Sequence, residues 1–292
     1  MPSLAVPTIA AGDFVLILSC PDRPGIVHAV SGFLVSHGGN ILESQQFGDQ
    51  LAGRFFMRID FTVPGAASAD ELRGAFAGIA AEFEMRFELW DARAPYRTLI
   101  MVSRHLHCLN DLLFRVSTGS LQIEVPAVVS NHPDAADMAA SYGVPFLHVP
   151  VTRDTKPEAE ARLVELVKEL DVHLVVLARY MQVLSDDLCR ELSGRAINIH
   201  HSFLPSFKGA RPYQQAHQRG VKLIGATAHY VTGDLDEGPI IEQDVMRVDH
   251  NYDAGQLAAA GRDVESQVLS RAVRWHAETR VLLNGHKTVV FR

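Results

Sequence analysis

Two regimes of hydrophobic patterning divide the chain. Through residue 92 the order reads strand, helix, strand, strand, helix, strand. Phe14-Val15-Leu16-Ile17-Leu18 is a continuous apolar run of strand length. Asp22-Arg23-Pro24-Gly25 is a turn into a helix, and Pro24 suits a helix start, where its missing N–H is not needed. Ile26, Val30, Phe33 and Leu34 then recur at helical spacing, and His37-Gly38-Gly39-Asn40 ends the helix, because glycine takes a left-handed conformation without a Cβ penalty. Phe55, Met57, Ile59 and Phe61 alternate with Phe56, Arg58 and Asp60, the period of two that predicts a strand with one buried face. Ser68 with Glu71 three residues on forms a capping box for a second helix, lined inward by Leu72, Phe76, Ile79 and Phe83, and Met85 to Trp90 closes the sheet.

Ala92-Arg93-Ala94-Pro95 reads as a linker, and beyond it strands alternate with helices. Strands are expected at Leu99–Val102, Val125–Ser130 (with Pro126 at its start or edge), Phe146–Val149, His173–Leu177, Ile197–His200, Leu223–Val231, Ile240–Val248 and Lys287–Phe291. Helices are expected over Leu106–Arg115, Ala135–Tyr142, Pro157–Leu170 and Asp253–His276. Such alternation predicts a mostly parallel sheet with helices on both faces, and a ligand at the carboxyl ends of its strands. The fold class is therefore α/β: a small ferredoxin-like βαββαβ domain over 1–92, then a Rossmann-like domain over 93–292.

Composition narrows the function. Of 292 residues, 47% are hydrophobic and 21% charged, which is ordinary for a globular protein able to build a sizeable core. A net charge of −7 argues against a nucleic-acid partner, which needs a basic footprint. Cys20, Cys108 and Cys189 are odd in number and far apart, so neither a disulfide framework nor zinc spacing is read, and a reducing cytoplasm is the expected setting. Pro2, Pro7 and Asp13 give the N-terminus the look of a short disordered lead rather than a signal peptide, and no apolar run approaches a membrane span.

The chemistry concentrates in Asn198-Ile199-His200 and in Asp236 of Asp234-Leu235-Asp236-Glu237-Gly238. An amide, an imidazole and a carboxylate together can hold an oxyanion, move a proton and orient a water. Taken alone, Asn198 reads as a strand-end turn residue, His200 as a core histidine and Asp236 as a turn carboxylate. The segment Ser202-Phe203-Leu204-Pro205-Ser206-Phe207-Lys208-Gly209-Ala210, with Gly225, Thr227, His229 and Gly238, extends the pattern. Over these residues the chain resembles the enzymes that use 10-formyltetrahydrofolate as formyl donor. The resemblance implies Asn198, His200 and Asp236 as catalytic residues, acting on a formyl group at N10 of the folate. It also implies that Tyr180-Met181-Gln182-Val183-Leu184 receives the pterin, with Met181, Gln182, Val183, Leu184, Gly209 and His229 at the substrate. His229 reads equally as core packing, and Lys208 and Arg211 equally as glutamate-tail partners or solvated surface. Successive strand side chains point to opposite faces, so His201 is expected to diverge from His200, which also weakens a metal reading of the pair. No His-Glu-x-x-His pattern occurs, and no metal is expected.

The acceptor is the open variable. The resembling enzymes that formylate glycinamide ribonucleotide have a glycine-rich turn after the first strand of this domain, where backbone N–H groups cradle the phosphate. Here that turn reads Ser103-Arg104-His105-Leu106-His107-Cys108-Leu109-Asn110-Asp111, without glycine, although Ser103 and Arg104 leave some room for an anion. His105, His107 and Cys108 read as helix-start packing before they read as catalysts. The segment resembles its counterpart in the 10-formyltetrahydrofolate deformylases, as do Ser130-Asn131-His132-Pro133-Asp134 and Asn284-Gly285-His286-Lys287-Thr288-Val289-Val290-Phe291. Asp22-Arg23-Pro24-Gly25-Ile26-Val27 and Gly39-Asn40-Ile41 make the N-terminal domain similar to an ACT domain. The resemblance implies hydrolysis of 10-formyltetrahydrofolate to formate and tetrahydrofolate, feeding formate to purine synthesis and balancing one-carbon pools, with the folate as substrate and no cofactor. It further implies a homo-oligomer, a tetramer by expectation, with an amino-acid effector near Asp22, Gly25 and Asn40. The alternatives are formyl transfer to a small amine and a non-catalytic folate or amino-acid sensor; an intact trio speaks against the sensor.

Overall fold

The computed structural model describes residues 13–65, 68–204 and 212–292. The expected lead segment, and Pro205, Lys208, Gly209 and Arg211 of the expected site, lie outside these residues. The described residues form two compact units. One takes those up to Ala94 together with Glu278–Leu282 and Phe291–Arg292; the other takes Pro95–Ala277 and Leu283–Val290.

The first unit runs β1 (Phe14–Pro21), α1 (Ile26–Ser36), β2 (Asn40–Asp49), β3 (Arg54–Thr62), α2 (Ala69–Glu82) and β4 (Arg86–Asp91). Its antiparallel sheet has the order β2-β3-β1-β4. Phe14, Leu16, Leu18 and Cys20 of β1 and Phe55, Met57, Ile59 and Phe61 of β3 face the helices, where they meet Ile26, Val30, Phe33 and Leu34 of α1 and Leu72 and Phe76 of α2. Gly25 caps α1 at φ 97°, so Pro24 stands one step before the cap instead of in the first turn. The capping box of α2 is complete: Ser68 accepts from the Glu71 N–H and Glu71 from that of Ser68. The other face of β3 departs from simple alternation, because Phe56 and Arg58 are also buried. Arg58 pairs with Glu43 at 2.9 Å and donates to the Glu278 carbonyl, so the returning C-terminal segment covers that face.

The second unit continues with β5 (Thr98–Val102), α3 (His107–Ser117), β6 (Val128–Ser130), α4 (Ala136–Ser141), β7 (Phe146–His148), α5 (Lys156–Glu169), β8 (Leu174–Leu177), α6 (Asp186–Glu191), β9 (Ala196–His200), α7 (Pro212–Arg219), β10 (Leu223–Tyr230), β11 (Ile240–Arg247) and α8 (Ala254–Ala277). The chain closes with β12 (Val281–Asn284) and β13 (Lys287–Val290). The sheet order is β11-β10-β9-β8-β5-β6-β7. Strands β9, β8, β5, β6 and β7 are parallel, and β10 is antiparallel to both β9 and β11. β6 is shorter than its apolar run because Pro126 removes a ladder donor, leaving a single bridge between Arg97 and Glu124 upstream. Helices α6 and α7 were not expected from periodicity; six and eight residues are too few to display it.

Strand order runs outward from β5 through β6 to β7, then resumes on the other side of β5 with β8 and β9. The switch point lies between β5 and β8, where open α/β sheets form their ligand crevice. Ser103 follows β5, Arg179 follows β8 and His201 follows β9, so three loops converge there.

Phe76 is fully buried and meets Phe33 and Phe87 edge-on at centroid distances of 5.0 and 4.9 Å. Phe76→Ala is expected to destabilise the first unit by about 3–5 kcal/mol. Chemical unfolding followed by Trp90 fluorescence in a Trp275→Phe background measures it, and a loss well under 1 kcal/mol would contradict this packing.

Candidate active site

Strand alternation puts Asn198 and His200 on one face of β9. The antiparallel neighbour β10 sets His229 opposite Asn198 and Thr227 opposite His200. A bulge between Ala228 and His229 re-aims the latter side chain. The loop after β10 then brings Asp236 back to the same face. His200 Nδ1 lies 3.2 Å from Asp236 Oδ1, and His229 Nε2 lies 3.8 Å from the same oxygen. The three expected residues thus meet, with His229 as a fourth member.

Two local features let the loop close. Asp236 sits at φ 58°, a left-handed conformation that aspartate tolerates better than most residues. Gly238 packs on β10 so tightly that a Cβ there would collide with the Tyr230 carbonyl oxygen. Tyr230 N–H in turn donates to the Pro239 carbonyl at 2.9 Å.

Hydrogen bonds fix the protons. The Tyr230 carbonyl can only accept, so His229 Nδ1, 2.9 Å away, carries hydrogen. Burial holds the His229 pKa below the usual histidine value, against the opposing pull of that carbonyl and of Asp236. The ring is neutral, and its Nε2 accepts from Asn198 Nδ2 at 3.3 Å. Among the described residues nothing accepts the second Nδ2 hydrogen of Asn198, so it can donate to a further group. The hydrogen bond from His200 holds the Asp236 carboxyl below its ordinary range despite partial burial. His200 Nε2 meets Ser202 Oγ at 2.9 Å. A hydroxyl both donates and accepts, so Ser202 serves the neutral ring and the imidazolium alike. Thr227 Oγ1 donates to the Ser202 carbonyl and accepts from Leu204 N–H and Gln243 Nε2, which fixes the chain as it leaves β9.

The expected pterin segment follows β8. Leu184 is buried and Gln182 half-buried, while Met181 and Val183 stand 55% and 57% exposed. Ser103 pins the segment: its Oγ accepts from Met181 N–H at 3.0 Å and donates to Asn131 Oδ1 at 2.7 Å. Ser103 is therefore occupied and buried, not open to an anion, and Arg104 is exposed. A largely apolar pocket beside the segment is lined by Tyr180, Gln182, Leu184, Met101, Val129 and Leu163, among others; none of the trio lines it.

His201 does not diverge from His200. Strand β9 ends at His200, alternation lapses at the bend, and the two rings stack at 4.9 Å with 25° between planes. Arg179, at φ 65°, donates from Nη1 to His201 Nδ1 at 2.6 Å. Behind them Glu265 of α8, 1% exposed, lies 3.4 Å from Arg179 Nε, 2.8 Å from His107 Nε2 and 2.6 Å from the Tyr213 hydroxyl. Burial pushes the Glu265 carboxyl up, but these partners outweigh it and the net shift is downward. His107, Cys108 and Glu265 have a metal-like grouping. Yet both carboxylate oxygens are engaged, burial pushes the Cys108 thiol up, and the Arg179 guanidinium already supplies the positive charge. The grouping fits a buried ion-pair network better than a metal centre.

Burial, then Arg179, holds the His201 pKa down to about 4. Below the ordinary value of 6.5 the unfolded chain takes up protons that folded His201 and His229 refuse, so stability falls with falling pH. Each refused proton steepens the fall by up to about 1.4 kcal/mol per pH unit. His201→Phe is expected to flatten the pH 6.5-to-4 slope in equilibrium unfolding; an unchanged slope would mean that His201 is protonated in the folded chain.

Residues 96–273 match the formyl transferase family model, and residues 14–76 match the ACT domain model. A formyltetrahydrofolate deformylase of Corynebacterium sp. strain P-1 is 57% identical over 279 residues, covering 95% of this chain and 98% of the relative. The crystal structure of a formyltetrahydrofolate deformylase from Burkholderia mallei superposes with a TM-score of 0.92 at 54% identity, covering 96% of this chain and 99% of that one. A glycinamide ribonucleotide transformylase structure from Symbiobacterium toebii shares 29% identity at a TM-score of 0.63, over 68% of this chain and 95% of that one. Matched along nearly its whole length, ACT-like unit included, the chain belongs to the formyltetrahydrofolate deformylase family.

Proposed function

We propose that this chain hydrolyses 10-formyltetrahydrofolate to formate and tetrahydrofolate. The observation that carries the reading is the contact of His200 with Asp236 at 3.2 Å on the face where Asn198 keeps a free N–H. Water attacks the formyl carbon, a C–O bond forms, and the carbonyl electrons move to oxygen, where the free Asn198 N–H donates. Asp236 and His200 take the water's proton. On collapse the C–N10 bond breaks, N10 takes a proton from His200, and formic acid ionises to formate. Met181, Gln182, Val183 and Leu184 receive the pterin, the exposed Met181 and Val183 offering it apolar surface. The folate is substrate, and the residue chemistry calls on no cofactor. Its place is the cytoplasm, where the three free and buried cysteines stay reduced, and its formate feeds purine synthesis.

Purified protein with 10-formyltetrahydrofolate and no amine is expected to release formate and tetrahydrofolate in equal amounts. Asn198→Ala is expected to lower kcat by roughly 100–1,000-fold, the usual cost of an oxyanion donor. Asp236→Asn is expected to lower it at least as far. Near-normal turnover in either variant would remove that residue from the mechanism.

The ACT-like unit is proposed to assemble a homotetramer and to bind an amino-acid effector. Its edge strand β2 is ten residues long and exposes Ile41, Leu42 and Phe47, a surface that pairs readily with another chain. Asp22 and Gly25 stand at the start of α1 and Asn40 just past its end, about 16 Å apart along an eleven-residue helix. One small effector touches both only across an interface between two chains. Light scattering is expected to give a tetramer, reduced to smaller species by Phe47→Lys; a stable monomer at micromolar concentration would contradict the assembly.

A further inference from the structure

Strand β10 ends at Tyr230, and three contacts meet at that residue. Its N–H donates to the carbonyl of Pro239, next to Gly238 in the loop that carries Asp236. Its carbonyl accepts from His229 Nδ1 at 2.9 Å. Its hydroxyl meets His276 Nδ1 at 2.7 Å. His276 lies in the last turn of α8, where a histidine ordinarily serves as a cation at the negative end of the helix. Here it does not, because burial holds its pKa down to about 4 and the ring is neutral at neutral pH. Its other nitrogen, Nε2, meets the Tyr96 hydroxyl at 2.9 Å. The ring stands edge-on to both tyrosines, with centroids 5.6 Å from each. A neutral imidazole has one donor and one acceptor nitrogen, so one hydroxyl donates to it and the other accepts from it. Tyr96 and His276 each stand one residue inside the points, after Ala94 and after Ala277, where the chain passes between the two units. Their contact therefore closes the long stretch of the second unit at its two ends. The mechanism above uses neither residue.

We propose that His276 is a positioning residue for the hydrolysis: held by Tyr96, it anchors Tyr230, whose carbonyl keeps the His229 hydrogen on Nδ1 and so keeps Asn198 aimed at the oxyanion. This rests on the hydrolytic reading. Neutral His229 has a single ring hydrogen. With the Tyr230 carbonyl in place that hydrogen stays on Nδ1, and Nε2 accepts from Asn198 Nδ2 at 3.3 Å. Were the carbonyl to turn away, Nδ1 would lose its acceptor and the hydrogen could sit on Nε2. Two donors would then face each other, and the Asn198 amide would have to rotate. A displacement of about 1 Å in a reacting geometry can cost on the order of a hundredfold in rate. Strand β10 is bulged between Ala228 and His229, so its ladder is irregular just before the carbonyl that must be fixed. The anchored Tyr230 side chain supplies a second hold there. Rotation at Tyr230 would also disturb the Pro239 contact that brings the Asp236 loop back. His276 and the two hydroxyls keep their hydrogens throughout; they set geometry and transfer nothing.

The test reads kinetics and tautomer together in the full-length protein. Wild type, His276→Phe, Tyr230→Phe and the double variant are assayed for formate release from 10-formyltetrahydrofolate. Each single variant is expected to lower kcat by about tenfold to a hundredfold with KM little changed, because the oxyanion contact is made in the transition state. The double variant is expected to fall no further than the worse single one, as two residues acting through one contact do. His276→Gln carries a donor and an acceptor on one amide and is expected to restore most of kcat. Nitrogen-15 NMR of histidine-labelled protein follows the tautomer, with the His229 signals assigned by their loss in His229→Asn. The hydrogen is expected on Nδ1 in wild type and His276→Gln, and shared between both nitrogens in His276→Phe. Tyr230→Phe removes one hydroxyl and little volume, and it carries both readouts if His276→Phe does not fold. Unchanged kcat in the folded single variants, additive losses in the double variant, or an unaltered His229 tautomer would each overturn the proposal. No formate from wild type would instead overturn the hydrolytic reading, and the tautomer would still decide whether His276 positions His229.

Discussion

Asp236 has to fold back over the sheet. Its loop leaves β10 beside Tyr230, which pairs with Ile197 near the beginning of β9, yet the carboxylate meets His200 at the end of that strand. The return requires a left-handed turn at Asp236 and a backbone approach at Gly238 that admits no side chain. It also requires β10 to run antiparallel to β9, so that His229 falls opposite Asn198 and under the returning carboxylate. The antiparallel edge on an otherwise parallel sheet is thus what lets an amide, two imidazoles and a carboxylate share one face.

Charge compensation shapes the other side of the site. Burying an ion is costly unless it is paired and hydrogen-bonded. Glu265 meets this condition through Arg179, His107 and Tyr213, and Tyr213 reaches it only because Gly261 leaves room for the phenol. His201 and His229 meet it by staying neutral, each with one nitrogen committed to a partner of fixed polarity. His200 and Asp236 thus meet among neighbours whose hydrogens are fixed by their own partners.

Where a pattern was long enough to repeat, the sequence predicted the structure closely. The alternation in β1 and β3, the capping box of α2 and the βα order of the second unit all rest on periodicity or on local chemistry within one element. That Asn198, His200 and Asp236 belong together was legible only through the resemblance of their segments to the formyltetrahydrofolate-using enzymes. Three things were not legible. His201 was expected on the opposite face because alternation was carried one residue past the end of β9. Glu265 gave no signal of its own and Ser103 suggested an anion contact instead of its actual one, since the roles of both depend on partners far away in sequence. Helix α6 could have been found: Ser185-Asp186-Asp187 is a cap signal, and Ser185 does accept from Leu188 N–H. The cover on the outer face of β3 was invisible because its partner, the segment around Glu278, lies at the other end of the chain.

Thr227 offers one hydroxyl, and all of it is used: one hydrogen given to Ser202, two lone pairs given to Leu204 and Gln243. Valine has nearly the same volume but would remove a hydrogen-bond partner from Ser202, Leu204 and Gln243 at once, while serine repeats the donor and both acceptors. Sequence drift at this point is therefore confined by valence rather than by size.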